Sequence, residues 1–121
     1  KMNLKKKEIY SSFERLEKNL DGNKELVIEL AHKIIELFSK EQMDEIIRLS
    51  RDGDIENLRN LIHKLKGASS NFDLYEVKKL LNEIKERAIL GDIENIYKLV
   101  EKITINMNIL EKDLMYYRKN K

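Results

Sequence analysis

The 121-residue sequence has no cysteine, no proline, no tryptophan and only four glycines. Lacking cysteine, it can hold no disulfide and no zinc-finger or iron–sulfur site of the cysteine kind, so a reducing compartment, the cytoplasm, is expected. Lacking proline, it has nothing to punctuate its Leu/Ile/Glu/Lys stretches between the glycines, which points to helices. Apolar runs such as Leu26–Ile28 and Ala88–Leu90 stop at three residues, far short of the ~20 a membrane helix needs. The polar start, Lys1–Lys7, has no apolar stretch behind it, so no signal peptide is expected. An excess of one charge is missing too, with 24 Lys+Arg against 22 Asp+Glu and a net charge of +2. Spread over the whole chain, that is no footprint for nucleic acid. The Lys5–Lys7 run and the tail Arg118–Lys121 beside Tyr116 and Tyr117 read as solvated helix ends.

What is present is a helical rhythm divided by glycines. Gly22, Gly53 and Gly91 are each followed by Asn or Asp (Asn23, Asp54, Asp92). That pairing reads as one helix ending at a left-handed glycine and the next starting on a side-chain cap. The first segment, about 3–20, carries Ile9, Phe13, Leu16 and Leu20; the second, about 24–38, carries Leu26, Leu30, Ile34 and Leu37. Ser39 to Gln42 fits a capping box, opening a separate or kinked helix over about 40–51 whose apolar set is out of phase with the previous stripe. The fourth segment runs from Asp54 to about Asn71. Asp73 is read as the N-cap of a fifth, which carries Leu74, Val77, Leu81, Ile84 and Ala88. The sixth keeps a 3–4 rhythm from Ile93 to Tyr117. The echo between Gly53–Leu58 and Gly91–Ile96 reads as one capping solution used twice, since a solenoid needs three units. The expected fold is all-α, an up-and-down antiparallel four-helix bundle with an additional N-terminal helix, in a single domain over 1–121 with its core at about 24–115.

The fourth glycine, Gly67, marks the candidate site. On a wheel of 100° per residue, Ile55, Leu58, Leu61, Ile62, Leu65, Ala68 and Phe72 span an arc of roughly 120°, and His63 points about 155° from its centre. His63 is therefore expected on the solvent side. Lys66 and Gly67 flank it one turn on, Ser70 lies a further turn along, and Arg59 and Asn60 sit one turn back. A glycine inside a helix costs about 1 kcal/mol relative to alanine. Placed beside an exposed histidine, it clears space for another macromolecule to come close. A neutral imidazole is a competent nucleophile toward phosphorus, and a lysine beside it can balance the charge of the phosphohistidine formed.

The run His63-Lys64-Leu65-Lys66-Gly67-Ala68-Ser69-Ser70 resembles the signature of histidine-containing phosphotransfer (HPt) domains, and the likeness extends from about residue 24 to 115. The resemblance implies that His63 is the phosphoacceptor, Lys66 the stabilising cation and Gly67 the residue giving access. It also implies that the partners are a response-regulator receiver domain and a sensor or hybrid histidine kinase, with Mg²⁺ on the receiver and no cofactor on this chain. The expected role is that of a carrier, taking a phosphoryl group from a receiver aspartate or a kinase and passing it to another receiver aspartate. Arg59, Asn60 and Ser70 belong to the expected docking patch. Where the family often has glycine about ten residues after the histidine, this chain has Asp73.

The sequence shows no glycine-rich phosphate loop or Lys-Ser/Thr nucleotide motif, so the phosphoryl group is expected from a partner and not from ATP bound here. His32 has no Lys-Gly companion and reads as a surface or inter-helix histidine. No His-x-x-x-His or Glu-x-x-His spacing pairs the two histidines, and no metal site is expected. Lys1 before Met2 fits a domain taken from a larger kinase as well as a stand-alone carrier. The competing function is a helical docking module that binds a receiver or other partner without phosphotransfer.

Overall fold

The structure is a computed structural model describing the backbone of residues 4–120 and the side chains of residues 12–120. Ile9 and the Lys5–Lys7 side chains lie outside those residues. The elements are α1 (Leu4–Asn19), α2 (Lys24–Leu37), α3 (Lys40–Asp52), α4 (Ile55–Ser69), a 3-10 turn (Ser70–Phe72), α5 (Tyr75–Ile89) and α6 (Ile93–Lys119). There is no strand among the described residues, and no described helix is long and apolar enough to cross a membrane.

The bundle has four columns: α2 with α3, then α4, α5 and α6. The first column runs antiparallel to α6, since Lys24 Nζ donates to the Arg118 carbonyl at one end (3.3 Å) and Arg51 Nη1 meets Tyr97 Oη at the other (3.5 Å). The break between α2 and α3 falls at Ser39, whose Oγ accepts from the Gln42 N–H at 3.3 Å. The Ser39 N–H itself is spent on the Glu36 carbonyl (3.2 Å), so only half of the capping box closes. The restart at Ser39 re-phases the apolar stripe and lets Met43, Ile46 and Leu49 reach the same core as Val27, Ala31 and Ile34. The additional helix, α1, packs against α6 and against the 3-10 turn. Its Phe13 is fully buried, between Phe72 and Tyr117.

All three glycine joints are left-handed, with φ of 78° at Gly22, 71° at Gly53 and 74° at Gly91. At Gly53 and Gly91 the following Asp N–H returns to a carbonyl five residues back, Asp54 to Leu49 and Asp92 to Arg87, both at 2.9 Å. The same helix end is thus used twice. The helix starts differ: Asp54 Oδ1 accepts from the Asn57 N–H, whereas Asp92 caps no backbone N–H and instead holds the Asn95 side chain and an ion pair with Arg87.

Asp73 corrects the sequence reading. It is not an N-cap: Leu74 stands at that position of α5, with no side-chain cap. Asp73 itself takes φ 51° and ψ 42°, the left-handed conformation that glycine adopts most easily. Aspartate tolerates it better than most residues, and here its carboxylate is also engaged, with Arg15 in an ion pair, Ser12 Oγ at 3.4 Å and Tyr75 Oη at 3.1 Å. The turn after α4 is therefore tied to α1.

Candidate functional site

Helix α4 places the site by its period. Leu58, Ile62 and Leu65 are buried at 0%, 2% and 0% exposure, and Ile55, Leu61 and Ala68 are half-buried against the same core. With that face inward, His63 is carried to solvent and is exposed. Arg59, Asn60 and Gly67 are exposed around it, and Ser70, the first residue of the 3-10 turn, is exposed beyond them. His32 is also exposed, on α2.

Gly67 differs from the other three glycines. It is helical where they are left-handed, and, as at all four, a Cβ built on it meets nothing within 4 Å. Neither backbone strain nor close packing inside the chain calls for glycine there. The missing side chain leaves the surface beside His63 bare.

Lys66 is half-buried and reaches across to α5, where its ammonium donates to Asn82 Oδ1 at 2.8 Å. One turn further on, Lys78 Nζ donates to Ser70 Oγ at 3.3 Å while lying 5.5 Å from the centroid of the Tyr75 ring. The two cross-links are symmetric about Leu74, with partners eight residues away on either side in the first and four in the second. Sequence reasoning on single helices missed both Asn82 and Lys78. The signal that finds them is the hairpin itself: when two antiparallel helices share a short turn, residues equidistant from that turn face each other.

Charge is unevenly used. Lys66 takes part in none of the ion pairs among the described residues, whereas Arg48 on α3 is bound on both sides, by Glu45 (2.7 Å) and Asp52 (3.1 Å). The Arg48 hydrogen bond holds the Glu45 carboxyl below its ordinary range, and Glu45 in turn raises Arg48. A groove of about 480 Å³ between α3 and α4 is lined by Glu41, Gln42, Glu45, Arg48, Leu49, Asn57 and Leu61. Its arginine is already neutralised and His63 is not in its wall. The outward face of α4 is different: the exposed His63 imidazole, Lys66 with no carboxylate partner among the described residues, and the bare Gly67 share one stripe. Such a face suits a donor that is itself a folded protein. Among the described residues no group of three or more His, Asp or Glu side chains is placed to hold a metal ion.

A family model described as Hpt domain matches residues 7–109. No curated protein and no solved structure matches the chain.

Proposed function

The chain belongs to the Hpt domain family, whose domains serve histidine phosphotransfer in phosphorelays, and we propose that His63 is the residue that carries the phosphoryl group here. The observation that carries this reading is the stripe on α4: an exposed His63, with Lys66 and the bare Gly67 one turn along.

The donor is the acyl phosphate of a receiver-domain aspartate, or a histidine kinase upstream of it. The lone pair of an unprotonated His63 ring nitrogen forms the N–P bond as the acyl P–O bond breaks. That electron pair leaves on the receiver carboxylate, and the proton on the second ring nitrogen stays with the ring. Transfer onward to a second receiver runs the same step in reverse. The chain's part in catalysis is positioning and charge, with Lys66 facing the phosphoryl oxygens and Gly67 leaving room for the receiver backbone. Arg59, Asn60 and Ser70 form the rim on which the receiver docks. Magnesium belongs to the receiver, and the core of the domain reaches past the expected 24–115, to Phe13 and Tyr117.

The test is transfer of label from a phosphorylated receiver, followed by acid and base treatment. Label on this chain that is lost in acid and kept in base supports a phosphohistidine. A receiver that binds but leaves no label supports the docking module instead.

A further inference from the structure

We infer that Asn82 is a positioning residue for phosphoryl transfer, holding the Lys66 ammonium beside His63 without neutralising it. The inference rests on the reading of His63 as the phosphoryl carrier, and it places part of the site on α5, a helix that the His63 stripe does not include.

Lysine carries three donors and no acceptor, so the atom facing its Nζ at 2.8 Å must be the amide oxygen of Asn82. That bond uses one of the three ammonium protons and leaves two for a phosphoryl group. A free lysine on a helix surface spreads over many rotamers, and each must be given up when an anion is gripped. Lys66 is half-buried and already cross-linked to the neighbouring helix, so part of that ordering is complete before the donor arrives. Long helical side chains lean toward the N-terminus of their own helix, which in α4 is toward the level of His63.

The type of partner matters as much as the bond. A carboxylate at position 82 would fix the same ammonium more strongly but cancel the charge that a phosphoryl oxygen needs. An amide fixes the group and leaves its charge intact. The contrast with Arg48, held between Glu45 and Asp52, lies in the same molecule.

The experiment measures the rate of phosphoryl transfer from a phosphorylated receiver to the full chain, at saturating receiver, for Asn82→Ala and Asn82→Asp. Each is made alone and together with Lys66→Ala. Asn82→Ala is expected to slow transfer about tenfold, the loss of one hydrogen bond to a charged group. Asn82→Asp, which keeps the volume of the side chain and its bond, is expected to slow it at least as much. In the Lys66→Ala background both substitutions should change the rate by less than about twofold, because Asn82 acts only through Lys66. The receiver concentration at half-saturation should stay within about twofold throughout. Either single variant transferring at the wild-type rate overturns the inference. So does an equal loss with and without Lys66, which is what a merely structural asparagine would give, or a Lys66→Ala chain as fast as wild type. If wild type takes no label, or His63→Gln still does, the phosphocarrier reading itself fails.

Discussion

Phe13 meets Phe72 edge-on, with ring centroids 5.2 Å apart and planes at 81°, and both rings are fully buried. This contact joins α1 to the turn that ends the His63 helix. Phe13 lies equally close to Tyr117, at 5.3 Å, so one side chain links the first helix, the central turn and the end of the last helix.

Phe13→Ala is therefore expected to cost about 3–5 kcal/mol, the usual loss for an aromatic ring removed from a core. Urea unfolding of the variant should show a lowered midpoint. A midpoint within error of wild type would mean that α1 is not docked as described.

Asp73 separates two contributions at the same turn. Its φ of 51° suits glycine, while its carboxylate holds Arg15. Asp73→Gly loses the half-exposed ion pair, worth less than about 1 kcal/mol, together with the hydrogen bonds from Ser12 and Tyr75, but keeps the backbone unstrained. Asp73→Ala loses the same contacts and adds a left-handed alanine, a further ~1 kcal/mol. The alanine variant should unfold at lower urea than the glycine variant, and the opposite order would show that the conformation at 73 is unstrained.

Gly67→Ala should raise stability by about 0.5–1 kcal/mol, since the position is helical and a methyl group meets open space. Gly53→Ala, at φ 71°, should lower stability by about 1 kcal/mol. A larger side chain at 67, as in Gly67→Phe, should leave the fold in place and block transfer from a receiver. Wild-type transfer by Gly67→Phe would remove access as the reason for this glycine.

The cap at Asp54 predicts a pH dependence. Hydrogen bonds from the Asn57 side chain and then from the Asn57 backbone lower the Asp54 carboxyl below its ordinary value. A depressed folded-state pKa adds stability that is present above the unfolded value, about 4, and is lost as pH falls through the folded value. Asp54→Asn keeps a capping oxygen but cannot titrate. The variant should lose less stability than wild type between pH 6 and pH 3 in urea unfolding, and equal losses would contradict the assignment.

The helices and the inward faces were legible in the sequence because each is a local matter of period and capping. The apolar arc of α4 put His63 outward, and the glycine joints put the helix ends within a residue or two. What escaped was whatever depends on a second helix. Ser69 and Ser50 are buried by packing between elements, and each satisfies its hydroxyl within its own helix, on the Leu65 carbonyl at 2.8 Å and the Ile46 carbonyl at 2.7 Å. A pattern of apolar letters passes over both. Asp73 was misread because a cap and a left-handed turn favour the same residue type, and only the backbone distinguishes them. The Lys66–Asn82 bond spans 16 residues, and a helical wheel has no means of pairing two helices.

The most direct test of the account is label transfer from a phosphorylated receiver to wild type, His63→Gln and His32→Gln side by side. His63 is exposed, so its replacement should change stability by no more than about 0.5 kcal/mol and leave the circular dichroism of the bundle unchanged. The account predicts acid-labile label on wild type and on His32→Gln, and none on His63→Gln. Label on a folded His63→Gln chain would contradict it.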